Sequence, residues 1–394
     1  MILIRADANE LIGTGHVMRC LSIAHSFKRK GEHVLFVVAD HRGDALITSQ
    51  GFDIFCLNSE WTDMESELVS FEELIDKHDP SLIFVDSYYV TAHYFEVLSK
   101  KSRVAYFDDM NKEKWGVDFL INYNIFSSSF DYSRYENTFT RLMLQPQFAP
   151  LREEFKNAPK HEIKKVTDIL ISAGGADPER ITERIIDSIY ASFPGIMFHF
   201  IVGALNPRLE HIKTKASRID NVSLHLNEHH MAALMNKCDI AVSASGTTLY
   251  ELCAMGIPTI TYTLADNQVV ATKEFDRLGY MINAGDCREN REFINGVVEK
   301  LKNLIRDSEK RAALSSKMQE LVNGNGSDQI VTYIHNSLLH DAEYVLKDGD
   351  TIFSVGKDGK LVAKGRTELG RNIKVCFAQN GTHREVLSSQ ITDV

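Results

Sequence analysis

The segment Asp239-Ile240-Ala241-Val242-Ser243-Ala244-Ser245-Gly246-Thr247-Thr248-Leu249-Tyr250-Glu251 decides the architecture. Residues 240–243 form a short apolar run of the kind expected for a strand buried on both faces. The chain then crosses small polar residues into 249–255, which reads as a helix. Gly256-Ile257-Pro258 ends that helix and starts the next strand, 259–262. Strand, loop, helix and strand in this order make a parallel βαβ unit.

The same alternation extends in both directions. Towards the N-terminus of this half, strands are expected at 169–172, 198–202 and 222–226, and helices at 179–193 and 231–237. The first half repeats the pattern with strands at 2–6, 34–39, 82–85, 104–107 and 119–121. Its helix over 15–30 carries Met18, Leu21, Ala24 and Phe27 at helical spacing, with Gly31 placed to end it. Between the halves, Pro146, Pro150 and Pro159 stand among the charged residues of 151–165, and the domain junction is expected there. A chain of 394 residues is too long for one ordinary core. The expected organisation is therefore an α/β domain over 1–150, a second over 151–338 and a small β-rich extension over 339–394. Two such domains side by side form a cleft, and open α/β sheets bind ligands beyond the carboxyl ends of their strands. In the extension, the pairs Asp348-Gly349, Asp358-Gly359 and Asn380-Gly381 mark turns between strands at 351–355, 360–363 and 373–377. No catalytic constellation stands out in it.

Composition narrows the function classes. The net charge of −10 argues against broad nucleic-acid binding, which needs clustered Lys and Arg. A local anion site remains open, because backbone N–H groups at a helix start leave no trace in net charge. No apolar run approaches the roughly 18–20 residues that cross a bilayer. The start Met1-Ile2-Leu3-Ile4-Arg5 reads as a strand, not a signal peptide. The six cysteines are Cys20, Cys56, Cys238, Cys253, Cys287 and Cys376. They are scattered without a CxxC pair, which speaks against a zinc site or disulfide framework and fits a reducing cytoplasm.

Several segments have the residue types for chemistry. The loop Ser245-Gly246-Thr247-Thr248 leads into a helix whose free N–H groups and dipole suit a diphosphate. Glu251, near the helix start, can accept from ribose hydroxyls. Thr248-x-x-Glu251 also fits a capping box, which needs no ligand. Asn267-Gln268 follow a strand and suit sugar hydroxyls or phosphate, or an Asx-turn capping the next helix. Gly174-Gly175 follow the first strand of the second half and can bring N–H groups to a phosphate, or form a plain turn.

In the first half, Arg5-Ala6-Asp7 leads into Gly13-Thr14-Gly15-His16-Val17-Met18-Arg19-Cys20, which lacks the third glycine of GxGxxG. His16 at a helix start is disfavoured as imidazolium, so the neutral ring can serve as a general base; the alternative is a structural histidine. Asp86-Ser87-Tyr88-Tyr89 and Asp108-Asp109 follow strands and should face the cleft, with helix capping as the ordinary reading of Asp108-Asp109. His229-His230 lack further ligands at metal spacing and read as surface or loop.

These segments together resemble the nucleotide-sugar hydrolases of pseudaminic acid biosynthesis. The resemblance lies in Arg5-Ala6-Asp7 with Ile12 to Leu21, Val85-Asp86-Ser87-Tyr88, Phe107-Asp108-Asp109, Leu151-Arg152-x-Glu154-Phe155, Gly174-Gly175-Ala176-Asp177 and Asn267-Gln268, in the family's order. Residues 245–258 also resemble the UDP-binding stretch of the GT-B glycosyltransferases related to the peptidoglycan transferase of the lipid II pathway. The resemblance covers about 1–335 and implies a GT-B-like pair of Rossmann-like domains.

It further implies hydrolysis of UDP-2,4-diacetamido-2,4,6-trideoxy-β-L-altropyranose, with inversion and without metal or cofactor. His16 is then the base. Tyr88 and Asn267 line the sugar site; Ser245, Gly246, Thr247 and Thr248 take the diphosphate; Glu251 takes the ribose, and Gln268 belongs to the same substrate-binding set. Gly13, Gly15, Arg19, Gly174 and Gly175 complete the expected substrate-binding set. The expected partner is the UDP-sugar, with neither nucleic acid nor membrane, and the sequence gives no oligomeric state. Gly246-Thr247-Thr248 stands where Gly-Ser-Thr is common in the family, and 344–394 has no counterpart in it. A glycosyltransferase of the same fold would use the same donor site, and a non-catalytic sugar-nucleotide sensor would keep it too.

Overall fold

In a computed structural model, residues 1–338 are described except 137, 139, 175–176, 190–191, 204–205, 229 and 290–291. Backbone alone is described for residue 189 and for 339–346, 351–355, 361–366, 373–380 and 383–391. The first domain comprises β1 (Ile2–Ala6), α1 (Gly15–Arg29), β2 (Val34–Val38), α2 (Asp44–Thr48), β3 (Asp53–Cys56), α3 (Leu68–His78), β4 (Leu82–Asp86), α4 (Ala92–Ser99), β5 (Val104–Phe107), β6 (Phe119–Asn122) and β7 (Arg141–Leu144). Its strands pair in parallel in the order β3-β2-β1-β4-β5-β6-β7.

The second domain comprises β8 (Asp168–Ser172), α5 (Ile181–Ile189), β9 (Met197–Val202), α6 (Leu209–Ala216), β10 (Val222–Leu226), α7 (Met231–Met235), β11 (Ile240–Ala244), α8 (Thr248–Met255), β12 (Thr259–Thr263), α9 (Val269–Arg277), β13 (Ile282–Asp286), α10 (Phe293–Arg306), α11 (Ser308–Leu321) and α12 (Gly326–His340). Its parallel order, β10-β9-β8-β11-β12-β13, repeats the first domain's in its leading six strands. In each sheet the order reverses once, between β1 and β4 and between β8 and β11.

Apart from β10, which lies at a sheet edge and is half-buried to exposed, the strands expected from the sequence are interior ones. Every residue of β1, β2, β4, β5, β6, β11 and β12 is buried, so both faces had to be apolar. The strands that carried no such run, β3, β7 and β13, are sheet edges. β3 alternates exposed and half-buried, and β13 is half-buried throughout. Gly31, with φ of +83°, follows α1 as expected. The helix expected over 179–193 begins at Ile181, because the Asp177 carboxylate accepts from Ile181 N–H at 2.7 Å and Thr182 N–H at 2.9 Å.

The final helix, α12, packs on the first domain. Ile330, Val331 and Ile334 join the core that contains Val17, Leu21 and Phe27. Ser26 Oγ donates to Asp328 at 2.5 Å, and Arg29 and Lys156 pair with the same carboxylate. Here the junction segment lies against the start of α12. A Cβ on Gly324 would stand 2.1 Å from the Phe155 carbonyl oxygen, and one on Gly326 2.1 Å from that of Ala149. Only glycine permits that approach.

In the extension, β14 (Asp341–Leu346), β17 (Ile373–Asn380) and β18 (His383–Ile391) form one antiparallel sheet, and β15 (Thr351–Val355) and β16 (Leu361–Arg366) form another. The β-rich character expected there is present, with two strands, β14 and β18, beyond those expected. Asp348, Gly349, Asp358, Gly359 and Gly381 of the turn pairs lie outside the described residues.

Candidate active site

The two reversal points are where ligands bind in open α/β sheets, because adjacent connections there run to opposite faces and leave a crevice. In this chain they face one another. After β1, the Asn9 side chain accepts from Leu11 N–H at 2.9 Å and Ile12 N–H at 3.0 Å, and Asn9 bridges to Gly13. That tight loop brings Gly15 and His16 to the cleft at the start of α1. After β4, the chain presents Asp86 and Tyr88. After β8 comes Gly174, and after β11 come Ser245 to Thr248.

Two adjoining cavities occupy the cleft. The larger, of about 590 Å³, is lined by Gly15, His16, Arg19 and Tyr88 from the first domain and by Ser245, Gly246, Thr247, Asn267 and Gln268 from the second. The smaller, of about 300 Å³, is lined by Gly174, Thr248 and Glu251. Gly15, Arg19, Tyr123, Thr247 and Tyr250 line both. Of the expected site residues, Gly13 lines neither, and Gly175 lies outside the described residues.

His16 is held by Asp86, which the sequence placed at the cleft but did not pair with His16. Its Nδ1 lies 2.6 Å from Asp86 Oδ1. A carboxylate only accepts, so Nδ1 carries the proton and Nε2 is left as the acceptor. Arg19 Nη2 stands 3.4 Å from the same nitrogen, where two donors meet without a hydrogen bond. The hydrogen bond to Asp86, beyond the expected effect of the helix end, thus fixes the ring and its tautomer. Tyr88 packs edge-on to His16 with centroids 4.7 Å apart, and its hydroxyl donates to Asp109 at 3.1 Å.

Arg19 is buried and grips Asp86 through Nε and Nη2, both at 2.6 Å, while Nη2 also pairs with Asp109 at 2.8 Å. Although Arg19 borders both cavities, its Nε and Nη2 are committed to protein carboxylates and its Nη1 donates to the Tyr123 hydroxyl at 3.1 Å. Burial alone would raise the Asp86 carboxyl; the opposing charge of Arg19, with His16, outweighs it and holds Asp86 well below the usual carboxylate range.

The capping reading of Asp108-Asp109 is not what the structure shows, since no helix follows them. Asp108 accepts from Met110 and Asn111 N–H groups and from the Trp115 indole, whereas Asp109 faces the cavity. His230 stands exposed before α7, as expected of a loop residue, and His229 lies outside the described residues.

On the other wall, the capping box fails. Thr247 is the N-cap of α8 and its side chain makes no capping bond, so Thr248 is already helical and Glu251 sits one position too far along. Glu251 instead meets Arg152 from the junction segment at 3.0 Å, and burial pushes its carboxyl up despite that charge. The N–H groups of Gly246, Leu249 and Tyr250 are used by Ala244, Gly246 and Thr247 carbonyls. Among the described residues, those of Thr247 and Thr248 remain to meet a ligand, and Gly246 and Thr247 are exposed. Ser245 behaves differently from expectation. Its hydroxyl is buried in a chain with Thr261 and Thr272, each at 2.6 Å.

The Asx-turn reading of Asn267-Gln268 also fails. Neither Ala265, before the turn, nor Gln268, before α9, caps with its side chain. Gln268 Oε1 accepts from Leu264 N–H at 2.9 Å, which leaves its amide N–H₂ and Asn267 at the cavity wall. Among the described residues, no group of three or more His, Cys, Asp or Glu stands ready for a metal ion. No described helix is long and apolar enough to cross a membrane.

Known proteins bear on this geometry. No protein-family model matches the chain. An uncharacterized protein of Methanocaldococcus jannaschii is 23% identical over 274 residues, 66% of this chain and 54% of that protein. The UDP-2,4-diacetamido-2,4,6-trideoxy-beta-L-altropyranose hydrolase of Campylobacter jejuni is 24% identical over 247 residues, 62% of this chain and 85% of the hydrolase. A Helicobacter pylori protein named as pseudaminic acid cytidylyltransferase and the same hydrolase is 24% identical over 277 residues, 68% of this chain and 45% of that protein.

The chain is a distant relative of these hydrolases.

It nevertheless spans only about half the length of some of these relatives, 54% of the archaeal protein and 45% of the Helicobacter protein. Among solved structures, Acinetobacter baumannii MurG superposes with a TM-score of 0.62 at 13% identity, over 85% of this chain and 99% of MurG. The spinosyn rhamnosyltransferase SpnG complexed with thymidine diphosphate gives 0.60 at 13% identity, over 85% and 99%. These likenesses show the fold, which is GT-B: two parallel-sheet α/β domains across a cleft.

Proposed function

We propose that this chain hydrolyses UDP-2,4-diacetamido-2,4,6-trideoxy-β-L-altropyranose to UDP and the free amino sugar, a step in nonulosonic acid synthesis. The observation that carries this reading is the meeting, across one cleft, of the His16–Asp86 pair with the free N–H groups of Thr247 and Thr248. A base and an anion cradle are the two things the displacement of a diphosphate from an anomeric carbon requires. Their separation into two joined cavities suits a sugar in the larger and a nucleoside in the smaller, with the diphosphate at Gly15 and Thr247 between them.

In this mechanism water enters beside His16, and Nε2 takes its proton as the oxygen attacks the anomeric carbon. The bond to the diphosphate oxygen breaks on the opposite side, so the configuration inverts. Negative charge growing on the leaving phosphate is met by the α8 N-terminus. Asn267 and the Gln268 amide hold the sugar, Tyr88 borders it, and Glu251 takes the ribose hydroxyls. Arg19 acts through Asp86. The distant kinship to named hydrolases supports this reading over transfer to a sugar or lipid hydroxyl.

The test is incubation with the UDP-linked diacetamido sugar without any acceptor, followed by NMR of the anomeric proton. UDP release with a new free-sugar signal of opposite initial configuration is expected. Absence of UDP release until an acceptor alcohol is added would assign the chain to transfer.

A further inference from the structure

Tyr250 belongs to the second domain, on α8 beside Glu251, yet its hydroxyl serves the first. It accepts from Ile125 N–H at 3.0 Å, with the side chain only 5% exposed. Its ring meets Tyr123 edge-on at 5.4 Å. The Tyr123 hydroxyl in turn accepts from Arg19 Nη1 at 3.1 Å, and the Arg19 guanidinium grips Asp86, which holds His16. From the helix with the diphosphate donors to the histidine, a run of contacts crosses the domain boundary: a ring contact from Tyr250 to Tyr123, then hydrogen bonds through Arg19 and Asp86 to His16.

We infer that Tyr250 is a positioning residue: it makes the orientation of the His16–Asp86 pair depend on the seating of α8, and so ties the base to nucleotide occupancy. The inference rests on the reading of His16 as the base. Its physical ground is that Arg19, Asp86 and His16 cannot reorient independently. Arg19 is clamped by two carboxylates and stacked on Phe107 at 4.6 Å, so the free edge of that assembly is the Tyr123 hydroxyl. Tyr123 is held from the other domain by Tyr250, through the ring contact and through the hydroxyl that fixes the Ile125 backbone two residues along. A nucleotide that fixes α8 fixes Tyr250, and through it the base.

Tyr250→Phe keeps the ring and removes one oxygen, and Tyr123→Phe removes the acceptor of Arg19. Each is expected to lower kcat by about tenfold while KM and the UDP Kd stay within about twofold. The double variant should lose no more than either single, because both interrupt one path. The His16 imidazole signal, assigned by its loss in His16→Gln, should shift on UDP binding in the parent protein and stop shifting in Tyr250→Phe. Equal kcat in Tyr250→Phe and parent, or an unchanged UDP-induced shift, would overturn the inference. Losses that multiply in the double variant would overturn it too. His16→Ala run in parallel keeps the two readings apart. Turnover surviving in His16→Ala removes the base itself, whereas a dead His16→Ala beside a fully active Tyr250→Phe removes only the coupling.

Discussion

Asp86 carries three obligations at once: it orients His16, it neutralises Arg19, and it accepts weakly from Cys20 Sγ at 3.6 Å. Asp86→Asn keeps the volume and removes the charge. The amide can donate to Nδ1 and select the wrong tautomer, so kcat should fall by about 10²- to 10⁴-fold. Stability should fall as well, since Arg19 is left buried with Asp109 as its remaining carboxylate. Steady-state kinetics and a thermal melt measure the two losses separately; a full kcat would mean that Asp86 merely anchors Arg19. Glu251→Ala is read by titration calorimetry. It should weaken UDP by about tenfold, roughly 1.4 kcal/mol. With the capping box absent from the structure, no helix-cap loss should accompany it.

At the scale of elements, the loops that follow β1 and β11 were legible because their order along the chain is local: an apolar run, small residues, then helical spacing. The partners of those loops were not. His16 and Asp86 are 70 residues apart, Arg152 and Glu251 99, and Ile125 and Tyr250 125. Only the fold brings them together. Asp86 and Tyr88 could be placed near the cleft from their position at a strand end, but not which side chain they meet. The Thr248 capping box misled because the pattern is short and Thr247 adopts helical geometry, moving the helix start by one residue. The hydroxyl chain around Ser245 was invisible, since Thr261 and Thr272 belong to a strand and a helix further on.

α12 supplies the prediction on this scale. Burial would raise the Asp328 carboxyl, but Lys156, Ser26 and Arg29 outweigh it and lower it to about 2. A carboxyl lower in the folded than in the unfolded chain stabilises fully above the unfolded value, near 4. That contribution is lost as pH falls towards 2. Asp328→Asn should therefore cost about 1–2 kcal/mol at neutral pH, allowing for screening. Denaturant titrations of the two proteins should converge near pH 2. A gap that persists there would mean that the side chain acts through packing.

For the whole molecule, two sheets with the same leading strand order put two reversal points face to face. In the proposed function, neither domain alone has both the base and the anion cradle. The sequence showed two α/β units and the GT-B resemblance. It did not show that α12 packs on the first domain, because the Ser26–Asp328 contact joins residues 302 apart. Nor could it show that the cleft divides into two chambers at Gly15 and Thr247, which depends on side chains from both walls.

In the proposed reaction, water held by His16 attacks carbon and the α8 N-terminus takes the departing charge. Turnover in ¹⁸O-enriched water, with both products weighed by mass spectrometry, tests it directly. The account predicts one ¹⁸O in the free sugar and none in UDP. Label found in the UDP phosphate would place the attack at phosphorus and contradict it.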